Sequence, residues 1–251
     1  MINQKQILNI SAYAGEIILS NGGEIYRTED TISRICKAYG IKYVNSLVTP
    51  TGIFISVDNG DGDSETVVRR IHNRRINLNK ISLVNNFSRK LENELLNYQK
   101  AMEELGAIEY GSPETNLKAG VLLTSLGVST NVIIMKESYN NILPAFLATL
   151  ASQIVIKKIG FLKDVNFIPE IAAGFIGTIV SLIAFNNGLG DNLSIMIVTA
   201  ILPFVPGVSL TNSIRDAISG DLISATSRGM EAFLIAISLA VGVALALGVL
   251  R

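Results

Sequence analysis

Arg215, Asp216, Asp221, Arg228 and Glu231 place five ionisable groups in one short stretch, directly behind Pro203, Pro206 and Gly207. Their types suit the handling of a small charged molecule. A guanidinium holds a carboxylate through two parallel hydrogen bonds. A buried Asp221 or Glu231 can take up and release a proton, because burial raises a carboxyl pKa. Arg228 and Glu231 are three residues apart and share a face if their segment is helical. The plain alternative is a kinked helix followed by a solvated polar loop. Glu231 weighs against it, since an ionised side chain within an apolar span costs at least about 2.5 kcal/mol at the bilayer centre and usually faces a pathway or a partner.

Other chemistries find little support. Cys36 is the only cysteine and His72 the only histidine, which leaves no internal disulfide and no cysteine-based metal site. His72 lies in the basic run "RRIHNRR" and reads as a surface residue. The run has no aromatic stacking platform for nucleic acid. It suits anionic lipid heads or the acidic "ENE" and "MEE" segments. "DNGDGDSE" looks like a calcium loop, but counted from Asn59 its sixth and twelfth positions are Ser64 and Arg70, where an EF-hand needs Gly and Glu. No glycine pattern for phosphate binding occurs. No metal or cofactor is expected. A second charged element, "NGGEIYRTEDTISRI", gathers Glu24, Arg27, Glu29 and Asp30 at a helix start, where acidic groups suit the positive end of the dipole.

The elements that must position these groups fall into two kinds. Mean hydropathy is +0.41, too high for an ordinary soluble domain, yet 17% of residues are charged. The charges are segregated, mostly before Thr115. The fold class expected is therefore an α+β cytosolic domain over residues 1–115, followed by an all-α transmembrane helix bundle of about five spans over residues 116–251. Zero net charge gives no reason to expect nucleic acid as a partner. The opening residues lack the pattern of a signal peptide, which places the first domain in the cytosol.

Within 1–115, Ile7, Leu8, Ala14, Ile17 and Ile18 recur at helical spacing up to Gly22-Gly23. "EIYRTEDTISRICKAYG" predicts a second helix, with Gly40 as its C-terminal cap. "KYVNSLVTP", "TGIFISVD" and "SETVVRRI" predict three strands, with Asp58–Asp63 as a tight turn. "SLVNNFSRKLENELLNYQKAMEEL" predicts one or two helices.

A spanning helix needs about twenty mostly apolar residues. Five candidates occur: 117–135, 142–156, 168–185, 193–208 and 229–250. The first is the weakest, and the second gains length if Lys157 and Lys158 snorkel. Four spans result if the first does not cross. Lys157, Lys158, Lys163, Arg215 and Arg228 gather in loops on one side, which orients that side to the cytoplasm. Gly120, Gly127, Ala173, Gly174, Gly177, Ala240 and Gly242 permit close helix approach. The fourth candidate is broken by Pro203, Pro206 and Gly207. Broken backbone at membrane depth is tolerated where it lines a cavity.

"NGGEIYRTEDTISRI", "TGIFISV", "RRIHNRRINLNKI" with "NNFSR", and "VPGVSLTNSIRDAISGDLISATSRGMEA" together resemble the threonine/serine exporter family, through nearly the whole chain. The resemblance implies ion-gradient-driven efflux of small hydroxy-amino acids or related small carboxylates such as succinate, across a bacterial inner membrane. It implies pathway roles for Pro206, Gly207, Asn212, Arg215, Asp216, Gly220, Asp221, Arg228 and Glu231. It also implies a cytosolic gate formed by Gly22, Glu24, Arg27, Glu29 and Asp30. Full-length members carry a second membrane domain, so this chain resembles the large subunit of a split exporter. The partners implied are a small membrane subunit, membrane lipid and the transported carboxylate or amino acid, with a homo-oligomer left open. Two other readings remain at this stage: a membrane-anchored hydrolase and a membrane-bound sensor, each with the N-terminal domain as the active part.

Overall fold

A computed structural model describes residues 2–58, 64–72, 75–111, 117–158 and 167–249. By its contacts the chain divides into two compact units, Met1–Pro113 with Val208–Gly229, and Glu114–Gly207 with Met230–Arg251. The sequence divides once, near residue 115. The contacts divide it differently, because the segment behind the Pro-Gly break makes its contacts with the N-terminal residues.

In the first unit, α1 (Gln4–Ser20) starts at a capping box. The Asn3 side chain accepts from the Gln6 amide at 2.8 Å, and the Gln6 side chain accepts from the Asn3 amide at 3.0 Å. Helix α2 (Ile25–Ala38) ends at Gly40, which is left-handed at φ 84° as expected of a glycine cap. Strands β1 (Tyr43–Thr49), β2 (Gly52–Asp58) and β3 (Ser64–Arg70) form an antiparallel meander in the order β1-β2-β3. The expected turn at 58–63 lies, after Asp58, outside the described residues. The final polar segment resolves into two helices, α3 (Leu78–Asn93) and α4 (Tyr98–Tyr110), capped by the side chains of Asn77 and Asn97.

Helix α1 is buried on two sides. Ile7, Leu8, Ala12 and Leu19 pack with Ile32, Ile53, Ile55 and Val57 of α2 and the sheet. Ile10, Ala14, Ile17 and Ile18 pack with Val84, Phe87, Leu91 and Leu105 of α3 and α4. The sheet covers its other face poorly. Leu47, Phe54 and Val68 lie opposite one another in register and are exposed. Part of the basic run, Asn73 and Arg74, lies outside the described residues. Arg69 pairs with Glu16 of α1 at 3.4 Å, and the Glu104 of "MEE" pairs with Lys90 at 3.0 Å. His72 is exposed. Two further helices complete this unit: α10 (Gly207–Ile218) and the first turns of α11 (Leu222–Val249).

The second unit holds α5 (Leu117–Ser129), α6 (Asn131–Ile134), α7 (Ile142–Lys158), α8 (Ile168–Asn186), α9 (Leu193–Ile201) and the rest of α11. Among the described residues, three helices are long and apolar enough to cross a membrane: Tyr139–Lys158, Ile168–Asn186 and Leu222–Val249. A fourth results if Leu193–Phe204 and Gly207–Ile218, bent by 64°, count as one span. About five spans were expected, with four as the alternative; by length and composition the described residues supply three such helices, or four with the bent pair. The first candidate is interrupted at Thr130 and falls short of the length. The second gains a turn of 3-10 helix, Tyr139–Asn141, at its start.

Small residues bring the helices of this unit together. An added Cβ at Gly174 would collide with the Leu239 carbonyl of α11, and one at Gly242 with the Ile171 carbonyl of α8. Gly177 faces Ser152 and Ala200. Gly120, Gly127 and Ala240 take no such part: the two glycines have open space beside them and Ala240 is exposed.

Candidate functional site

The site grows from the turn after α1. Gly22 is left-handed at φ 86°, a conformation that side chains resist. The Gly23 amide donates to the Ile18 carbonyl at 2.9 Å, and a Cβ on Gly23 would press against that same oxygen. Two glycines therefore end the helix tightly and turn four carbonyls outwards. All four are satisfied by distant residues. Ser20 O accepts from the Arg75 amide at 2.7 Å, and Asn21 O from the Asn77 amide at 3.0 Å. Gly22 O accepts from Asn212 Nδ2 at 3.1 Å, and Gly23 O from Arg228 Nη2 at 2.9 Å. Buried carbonyls without partners are costly, so this turn selects its partners.

Glu24 follows as the residue that starts α2, but its side chain does not cap that helix. Its carboxylate is shared by two arginines instead. One oxygen pairs with Arg27 Nε at 2.8 Å, and the other pairs with Arg215 Nη1. Asp216 follows Arg215 on α10. Asp216 in turn pairs with Arg228 Nε at 3.2 Å, and both are buried, at 2% and 5% exposure. Among these five groups, Arg27, Arg215 and Arg228 outnumber Glu24 and Asp216, leaving one formal positive charge. Buried pairs of this kind add little net stability, but removing one partner strands the other.

Asp221 stands at the turn between α10 and α11. Gly220 is left-handed at φ 88°, and the Asp221 side chain accepts from the Ser224 amide at 3.1 Å, capping α11. Ser213 ties the two helices by donating to the Ala225 carbonyl at 2.6 Å. Glu29 is half-buried on α2 and accepts from the Val48 amide of β1 at 3.1 Å. Burial raises its pKa above the usual carboxylate range. The Val48 bond opposes that rise, and the negative charge of Asp221 adds to it.

The sequence-predicted residues thus separate into groups. Glu24, Arg27, Asn212, Arg215, Asp216 and Arg228 come together with Gly22. Glu29 and Asp221 stand near one another beside them. Asp30 does not join: it is exposed and pairs with Arg34 at 2.9 Å. Pro206 and Gly207 form the break itself, between a short 3-10 turn at Leu202–Phe204 and α10. Glu231 is half-buried and belongs to the second unit. Among the described residues no cluster of metal-ligating side chains occurs.

Beside this cluster lies an open cleft of about 290 Å³. Gly23, Glu24 and Arg27 form one side, Ser82 and Asn85 of α3 another, and Asn212 a third. Ser82 and Asn85 were not singled out from the sequence. Their signal is faint: two small polar residues three apart, one face of a helix otherwise read for its core positions.

The match to known proteins covers this constellation and nearly all else. Residues 9–250 fit the model of the threonine/serine exporter (ThrE) family. The chain belongs to that family. Among curated relatives, the threonine/serine exporter of Corynebacterium glutamicum is 23% identical over 95% of this chain and 50% of its own length. The protein of Escherichia coli K12 named "Probable succinate transporter subunit YjjP" is 23% identical over 97% of this chain and 94% of its own length. One from Mycobacterium tuberculosis, named "Probable threonine/serine exporter", is 20% identical over 98% of this chain and 46% of its own length. This exporter-family chain therefore spans about half the length of two of these relatives and nearly the whole of the third. No solved structure matches it.

Proposed function

We propose that this chain is the large subunit of a two-component exporter that carries small amino acids or related small carboxylates out of a bacterial cell. A separate small membrane subunit completes the pathway, and an ion gradient drives transport. The α+β unit stands in the cytoplasm, and the apolar helices lie in the inner membrane. What supports the split form is the match to a relative named as a transporter subunit, over 97% of this chain and 94% of that relative.

The observation that carries the reading is the return of the segment behind the Pro-Gly break to the α1–α2 turn. A plain polar loop would leave Arg215, Asp216 and Arg228 in water. Here Arg215 engages Glu24, Arg228 engages the Gly23 carbonyl, and Asp216 pairs with Arg228. Arginines held in a partly buried, charge-rich setting suit the capture of a carboxylate. An anchor for an enzyme or a sensor has no use for that arrangement.

Transport is tested by uptake and counterflow in proteoliposomes, with and without the small subunit, across threonine, serine and succinate. Substrate movement that needs both subunits is expected, and Arg215→Ala and Asp221→Asn should abolish it while the protein still reaches the membrane. Full activity in both variants would remove these residues from the pathway.

A further inference from the structure

We infer that the cleft at the α1–α2 turn is a binding site for a small carboxylate, with Arg27 as its cation and Glu24 as an internal carboxylate that competes for the same guanidinium. The inference rests on the exporter reading only for the choice of ligands tried.

Three observations carry it. The first is charge. Glu24 is shared by Arg27 and Arg215, so one carboxylate serves two guanidinium groups and leaves Arg27 only partly engaged. The second is access. The Arg27 side chain is 38% exposed and lines the cleft, whereas the Glu24 side chain beside it is 10% exposed. A ligand reaches the guanidinium without unfolding anything. The third is the wall. Ser82 and Asn85 bring a hydroxyl and an amide to the cleft that Arg27 lines, while Ile81 supplies an apolar side. A cleft of about 290 Å³ admits a molecule of a few carbons. Few convergent polar groups in a cleft that also has an apolar surface are what a small-molecule site needs.

Glu24 gives the site its second property. Its carboxylate occupies Arg27 Nε in the structure described here. A bound ligand carboxylate would draw on the same guanidinium, and so loosen Glu24 towards Arg215. Binding in the cleft is thereby linked to the contact between α2 and α10. An amino acid and a dicarboxylate share the carboxylate that the cleft reads. They differ in the second charge, which meets Glu24: an ammonium is attracted there and a second carboxylate is repelled.

The test is titration calorimetry on the full-length protein in nanodiscs, with threonine, serine, succinate and, as a cation-only control, methylammonium. Saturable binding of a carboxylate is expected, with no binding of methylammonium. Arg27→Gln should weaken it about tenfold or more, the loss of a charge-assisted hydrogen bond. Glu24→Gln, which keeps shape and removes the competing charge, should tighten succinate several-fold and narrow the preference for threonine. Threonine above succinate indicates that Glu24 reads an ammonium; succinate above threonine indicates that the positive charge alone decides. Unfolding temperatures without ligand establish that each variant is folded. Absence of binding by every carboxylate, or equal binding in folded Arg27→Gln and wild type, overturns the site. Transport that persists without Arg27-dependent binding would sink the cleft and leave the exporter reading standing.

Discussion

The two units differ in what they expose and in the balance of what they bury. In the first, large side chains are inside: Ile10, Ile17, Ile18, Ile53, Phe87 and Leu105 are almost fully buried. In the second, small and hydroxyl-bearing residues are inside. Ala145, Ala148, Thr149, Ser152, Ala173, Thr178, Ser181 and Ala200 are fully buried, while Leu123, Leu143, Ile183, Phe233, Ile237 and Leu245 point outwards. Water drives large apolar groups together, so a water-facing unit puts them in its core. Lipid gives no such drive. Helices there associate through close backbone approach and side-chain hydrogen bonds, which small residues and hydroxyls permit. Gly174 against the Leu239 carbonyl, and Gln153 donating to Ser125 at 2.9 Å, are examples of each. Exposed in water, the outer surface of the second unit would be an aggregation site. The comparison teaches that one chain is folded for two solvents.

The largest way to break the first unit is to leave a buried charge alone. Arg228→Ala strands Asp216 and frees the Gly23 carbonyl, at a cost of about 3–5 kcal/mol. Thermal unfolding of the purified protein should show it, with Arg228→Lys recovering only part because lysine lacks the fork that reaches both partners. A loss below about 1 kcal/mol would mean that the pair is not closed in the folded protein.

A second variant pair sharpens the comparison itself. Leu47 and Ile237 are both exposed, at 62% and 42%. If only the second faces lipid, Ile237→Arg costs about 2.5–3.5 kcal/mol, read as lost membrane insertion. Leu47→Arg, on the open sheet face, stays within about 0.5 kcal/mol of wild type. Similar outcomes for the two would undo the claim that the units face different solvents.

The smallest expected effect is one of pH. Burial holds the Glu29 pKa above its ordinary value, so the native state binds that proton more tightly than the unfolded chain does. The stability linked to Glu29 is full below the ordinary value and is lost as pH rises through the raised one. Glu29→Gln should therefore be more stable than wild type at neutral pH, with the difference closing as pH falls into the carboxylate range. Unfolding temperatures at several pH values measure it, and a difference that grows on acidification has the wrong sign.

Much of this was legible in the residues. The period-3.6 pattern of Ile7 to Ile18 and the β-branched runs within 42–50, 51–58 and 64–71 were read as helix and strands because local preference and burial agreed there. The resemblance to the exporter family rested on Gly22, Glu24, Arg27, Glu29 and Asp30 with Pro206, Gly207, Asn212, Arg215, Asp216, Gly220, Asp221, Arg228 and Glu231, and the family match covers them all. The span count was less legible. Residues 117–135 have the composition of a span, but Thr130 divides them, and hydropathy does not register a break in the backbone.

By itself the sequence determined that the chain has a polar, mixed α and β part and an apolar helical part, because charge and hydrophobic period are local properties. Only the tertiary structure decided where 208–229 belongs. Asn212 and Arg228 find their acceptors on Gly22 and Gly23, about two hundred residues away in the chain. A carbonyl left open by a helix turn states that a donor is needed, but which distant donor meets it is settled only when the chain is folded.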